Sequence, residues 1–184
     1  MNFLFFDTET TGTPKDYKAP ITDLDNWPRV IQIAWEITNE KGELLQECRE
    51  LIYPDGWTIP KEKFWIDNGY STEINEKEGI HLANVLDTLI AHIKDFDVRV
   101  VVAHNLAFDI KVLGAEMLRY TKKADRKLIQ VCTMLAGTAT CKLPGGYRGE
   151  YKWPKLGQLF EKLFQVSFEG AHDAGNDVTA CRKC

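Results

Sequence analysis

The chain opens "MNFLFFDTETTG": four apolar residues in a row, Phe3 to Phe6, and then two carboxylates, Asp7 and Glu9, one residue apart. No other stretch constrains the fold as much. A short run apolar on both faces is the signature of a central rather than an edge strand, covered above and below. In such a strand residues i and i+2 point to one face, so Asp7 and Glu9 project together with Cα atoms about 6.6 Å apart. They stand at the carboxyl end of that strand, the edge of an open α/β sheet where ligand sites are usually found. Two like charges this close are costly unless a cation lies between them. A polar turn with solvated acids is the competing reading, and this stretch alone does not choose between them.

The rest of the chain continues an α/β pattern. Residues 29–38, "RVIQIAWEIT", form a second strand rich in β-branched and aromatic residues, and "GELLQECRELIYP" supplies a third, ended by Pro54. Three early strands in succession suggest an antiparallel start. From Gly79 the apolar period becomes helical, predicting a helix over about 81–95. "RVVVAH", 99–104, is another buried strand, and "NLAFDIKVLGAEMLRY" returns to helical period with Asn105 as its N-cap. Further strand-like residues, "LIQVCTM", precede a Gly/Pro/aromatic loop over 137–154. Helix resumes at "PKLGQLFEKLFQ" with Pro154 in its first turn, and a last helix begins near Ala174. Residues 1–184 read as one α/β or α+β domain with a mixed sheet, a size that buries a real core.

Hydrophobic content of 44% with 27% charged residues matches globular usage, and no window approaches the roughly 18 apolar residues of a membrane span. The first residues show neither a basic leader nor a small-residue cleavage site, so a cytoplasmic address without membrane contact is expected. Five scattered cysteines suit reduced thiols; Cys181-x-x-Cys184 has no second pair to complete a zinc motif. The net charge of −4 conceals a segregation: nine basic residues against two acids lie between Arg119 and Lys155, leaving the remainder at −11.

Two further stretches carry acids. In "VVAHNLAFDIKVL", Asp109 falls near the start of a helix, where the positive end of the helix dipole favours a carboxylate. In "EGAHDAGNDVTACRKC", His172 and Asp177 are five residues apart, about 140° from each other on a helix. They cannot share a helix face, so His172 is expected on the loop before the helix and Asp177 on its first turns. Taken singly, a first-turn Asp and a surface histidine explain these as well.

Together the three stretches "DTETTG", "HNLAFD" and "HDAGND" resemble the DEDDh family of 3′–5′ exonucleases, which includes the proofreading epsilon subunit of bacterial DNA polymerase III. The likeness runs from Asp7 to Asp177. It implies a ribonuclease H-like mixed sheet flanked by helices in a single exonuclease domain. It further implies Asp7, Glu9, Asp109 and Asp177 as metal ligands, His172 as general base, and Thr10, Thr11, Gly12, Asn105 and Phe108 beside the 3′-terminal nucleotide. Four carboxylates make a hard oxygen site suited to two Mg²⁺ or Mn²⁺ ions. An imidazole titrates where a proton can be taken from water near neutral pH. The expected activity is hydrolysis of phosphodiester bonds at the 3′ end of DNA, in proofreading or repair, with a DNA polymerase subunit as a partner to consider.

Separately from the resemblance, Arg148 and Lys152, with Tyr147, Tyr151 and Trp153, are candidates to hold the preceding phosphates and bases. A solvated loop pinned by aromatics is the alternative. Two other functions stay open: an exoribonuclease of the same family, since no contact to a 2′-hydroxyl can be located, and a catalytically silent nucleic-acid-binding accessory module. All five expected residues are present, which counts against the second.

Overall fold

The structure is a computed structural model that describes residues 1–123, 127–147 and 150–184. Five strands form one mixed sheet in the order β3-β2-β1-β4-β5: β1 (Asn2–Thr10), β2 (Val30–Thr38), β3 (Leu44–Leu51), β4 (Val98–Ala103) and β5 (Ile129–Cys132). The apolar run at the N-terminus therefore occupies the middle of the sheet. β1 pairs antiparallel with β2 and parallel with β4, and β2 pairs antiparallel with β3. The antiparallel start and the crossover through a helix both match the sequence reading.

Strand alternation sorts the side chains of β1 between two layers. Leu4 and Phe6 join Trp35, Ile37 and Val101 against the buried stripe of α3 (Leu82–Asp95) and against α4 (Leu106–Arg119). Truncating a core side chain as large as Phe6 costs about 3–5 kcal/mol in comparable sites. On the opposite face Phe3 and Phe5 pack with Ala34, Val100 and Val102 against α7 (Ala174–Lys183) through Ala174, Val178 and Cys181. Cys181 is thus a core residue of this layer, and the five cysteines are free. Asp7 and Glu9 continue the row of Phe3 and Phe5, which sets them on the α7 side, while Thr8 between them faces α4.

Several elements depart from the sequence reading. Residues 137–141, expected within the Gly/Pro/aromatic loop over 137–154, belong instead to α5 (Thr133–Cys141). Gly137 explains it: a Cβ there would lie 2.6 Å from the Leu159 side chain, so the small residue lets α5 close on α6 (Leu156–Phe164). Pro154 precedes α6, whose N-cap is Lys155, and does not sit in its first turn. Asn105 is the N-cap of α4 in position only: its backbone is left-handed at φ 67°, and its side chain makes no capping bond. Two short helices, α1 (Lys63–Asp67) and α2 (Thr72–Glu78), lie in a stretch for which periodicity gave no element.

A buried acid ties the loop after β1 to the helices. Glu116, fully buried on α4, accepts from Arg29 Nε at 2.8 Å and from the backbone of Val30 at 3.1 Å, with Arg119 at 3.2 Å. Arg119 also bonds the carbonyl of Trp27 at 2.7 Å. Among the described residues no helix is long and apolar enough to cross a membrane.

Candidate active site

Three distant segments meet at the carboxyl end of β1. β4 pairs with β1 only as far as Phe5, so the backbone N–H of Thr8 has no strand partner on that side. It donates instead to Asp109 Oδ1 at 3.2 Å, and the Thr8 hydroxyl donates to the same oxygen at 2.8 Å. Asp109, in the first turn of α4 and 3% exposed, is thereby fixed beside the strand. Asp177 comes from the first turn of α7, where its Oδ2 accepts the backbone N–H of His172 at 3.2 Å. Its Oδ1 is buried with no hydrogen-bond partner among the described residues.

The four carboxylates sense one another. Burial pushes Asp7 well above the ordinary carboxylate range, and Asp109, Asp177, Glu9 and Asp173 push it further. Glu9 rises to about 8, first through burial and then through Asp177 and Asp109. Asp109 rises to about 7 despite the bonds from Thr8 that favour its charge. Asp177 rises to about 6, burial outweighing the help from His172. Four acids so arranged cannot all be ionised at neutral pH unless positive charge joins them. All their donors are hard oxygens, and one, Asp177 Oδ1, lacks a partner among the described residues, so the residues present fit a divalent cation of the Mg²⁺ class.

His172 stands where the spacing placed it, exposed on the turn before α7 with its backbone left-handed at φ 67°. One donor atom each from Glu9, His172 and Asp177 lie within 4.8 Å of one another. The imidazole therefore reaches the carboxylates. Asp173, which was not singled out, anchors this turn: it caps α7 by accepting from Asn176 N at 3.0 Å, accepts from Gln32 Nε2 at 3.1 Å and pairs with Arg49.

The residues expected beside a substrate divide. Thr10 and Thr11 make structural bonds, the first from its hydroxyl to the Gly12 carbonyl at 2.7 Å, the second accepting from Arg29 N at 3.0 Å. Gly12 adopts φ 149°, a backbone that side-chain-bearing residues rarely take, with open space where a Cβ would be. Phe108 is half-buried and leans on the main core. Asn105 and Lys152 line a cavity of about 960 Å³ that His172 and Asp177 also line. Tyr151 and Trp153 belong to its wall and are 48% and 61% exposed, so the core is not what holds them there. Arg148 lies outside the described residues. The basic segment is not one surface: Arg119 is bound up with Glu116, and Lys122 pairs with Asp87 at 2.6 Å.

Sequence reasoning passed over Thr8, Gln32 and Tyr70, whose hydroxyl lies 2.7 Å from Gln32 Oε1. Thr8 was within reach, since strand alternation points it away from Asp7 and Glu9 toward the layer that contains Asp109. Gln32 was not, because nothing local marks one of the polar residues of β2 as a partner of a turn 141 residues later.

No protein-family model matches the chain, and no curated protein is similar to it in sequence. Solved structures are similar. Exonuclease I of E. coli in complex with a dT13 oligonucleotide superposes with a TM-score of 0.74 at 20% identity over 99% of this chain and 39% of its own. The zinc-bound form of the E. coli Exonuclease I–ssDNA complex gives 0.69 at 20% identity, covering 99% and 39%. Exonuclease I from Methylocaldum szegediense gives 0.69 at 19% over the same shares. The chain thus spans about two fifths of the length of these proteins. The likeness establishes the fold, a ribonuclease H-like mixed sheet flanked by helices as in Exonuclease I. It does not single out the epsilon subunit, and it lends no support to a polymerase partner.

Proposed function

We propose that this chain is a metal-dependent 3′–5′ exonuclease acting on single-stranded DNA. The observation that carries the reading is the convergence of Asp7, Glu9, Asp109 and Asp177, from three distant segments, into a cluster where burial raises each of them and the charges of the others raise Asp7, Glu9 and Asp109 further. Structural acids are rarely collected at such cost without a charge to hold. The neighbours of this fold whose structures contain dT13 and dA16 oligonucleotides support the substrate class.

In this reading the four carboxylates would hold two Mg²⁺ or Mn²⁺ ions, which when bound would supply water activation and charge stabilisation for phosphodiester hydrolysis. His172 accepts the proton of the attacking water from its place beside Glu9 and Asp177. Asp109 keeps its orientation through Thr8, and Asp177 through the His172 backbone. Thr10, Thr11, Gly12, Asn105 and Phe108 form the seat of the terminal nucleotide. Tyr151 and Trp153 offer stacking surfaces in the groove that leads to it, and Lys152, with Arg148, neutralises phosphates.

The test is digestion of 5′-labelled DNA and RNA oligonucleotides with Mg²⁺ or Mn²⁺. Stepwise shortening of single-stranded DNA from its 3′ end, lost in Asp7→Asn, is the expected result. Preferential shortening of RNA points to the exoribonuclease alternative. Tight binding with no nucleotide release under either metal contradicts the proposal and favours a silent binding module.

A further inference from the structure

α1 contains none of the motif residues and buries none of its own side chains, yet it touches two of the three motifs. Trp65 Nε1 donates to the carbonyl of Thr10 at 3.0 Å. Phe64 meets the imidazole of His172 edge to face, with ring centroids 5.2 Å apart and planes at 72°. Three residues past α1, Tyr70 is 4% exposed and sets its hydroxyl 2.7 Å from Gln32 Oε1 and 3.1 Å from the carbonyl of His172. The buried Gln32 completes the network, accepting from the backbone of Ala174 at 2.8 Å and donating to Asp173.

The turn has need of these contacts. A non-glycine residue in the left-handed region persists only where its surroundings over-determine it, and His172 is such a residue on an exposed segment. Left to itself, an imidazole on a solvated turn samples several rotamers, and each one away from the carboxylates is unproductive for proton transfer. The ring of Phe64 restricts the side chain, and the hydroxyl of Tyr70 restricts the backbone that bears it.

We propose that Phe64 and Tyr70 are positioning residues for His172, the first packing against its ring and the second sharing its one hydroxyl proton between Gln32 Oε1 and the His172 carbonyl, so that the imidazole is held over the Glu9 and Asp177 carboxylates. This rests on the reading of His172 as general base. Tyr70→Phe removes one oxygen and leaves Gln32 Oε1 its bond from Ala174, and Phe64 lies on a helix with no buried side chain, so both variants should fold. Each is expected to lower kcat roughly 10- to 100-fold with KM and metal affinity within about twofold of wild type, and Phe64→Tyr, which keeps the ring, is expected to retain activity. In a His172→Ala background neither substitution should cost anything further, because the group it positions is gone.

A second readout does not depend on turnover. Protons on the His172 ring should show an aromatic ring-current shift in the NMR spectrum of the native protein, lost in Phe64→Ala. Absence of nuclease activity in the wild type would remove the proposed function and leave the NMR shift as the judge of the contact. Unchanged His172 resonances in Phe64→Ala, or losses in the His172→Ala background as large as in the wild type, overturn the positioning role.

Discussion

Glu9→Gln should stabilise the metal-free protein at pH 8 while abolishing its activity. In the folded chain Glu9 is raised from 4.5 to about 8, chiefly by burial and then by the carboxylates of Asp177 and Asp109. A raised acid binds its proton more tightly folded than unfolded. Below about pH 4.5 it is neutral in both states and contributes nothing. As the pH climbs from about 4.5 to 8 the unfolded chain releases the proton and the folded chain keeps it, so stability falls. The displacement sets a ceiling of about 5 kcal/mol at 1.36 kcal/mol per unit. Because Glu9 is only half-buried, solvent screening reduces this, and we expect about 2–3 kcal/mol. For a chain of this size that is a rise in Tm of roughly 4–12 °C for Glu9→Gln in EDTA at pH 8, shrinking to nothing at pH 4. With Mg²⁺ present the order should narrow or invert, because the ion stabilises only the chain that binds it. Melting curves across pH, with and without Mg²⁺, measure this. A variant no more stable than wild type at pH 8 in EDTA would show that Glu9 is not held in an electrostatically strained site.

Asp177→Ala should remove turnover and weaken Mn²⁺ binding by calorimetry, whereas His172→Ala should cut turnover by about 10²- to 10⁴-fold, leaving a measurable residue, with Mn²⁺ affinity kept; equal loss of affinity in both makes His172 a ligand rather than a base. Glu116→Ala, which strands Arg29 and Arg119, should cost about 3–5 kcal/mol in urea denaturation. A loss under about 1 kcal/mol denies that this buried acid secures the loop after β1. Lys152→Ala with Trp153→Ala should weaken binding of a single-stranded oligonucleotide and flatten its salt dependence by roughly one phosphate contact, leaving metal affinity alone. An unchanged salt slope makes the loop a solvated surface.

What could be read from the sequence followed from local rules. The apolar run Phe3–Phe6 marked the central strand, and the five-residue gap between His172 and Asp177 separated a turn residue from a helix residue, as the structure has it. Short-range composition misleads where a tertiary contact decides: residues 137–141 fall in a Gly/Pro/aromatic stretch that reads as loop, but Gly137 is where α6 approaches α5. Phe64 and Tyr70 sit in a stretch with no sustained period, and their value lies in what they touch more than a hundred residues later. The closeness of Asp7 and Glu9 follows from strand spacing, whereas the repulsion that Asp109 and Asp177 add exists only once the three segments have folded together.

The central claim is that these carboxylates form one cation site, and crystals grown with Mn²⁺ test it most directly through the metal's anomalous scattering. The account predicts two peaks about 3.5–4 Å apart, bounded by oxygens of Asp7, Glu9, Asp109 and Asp177. No anomalous peak at this cluster under millimolar Mn²⁺, in a chain folded as described, would contradict it.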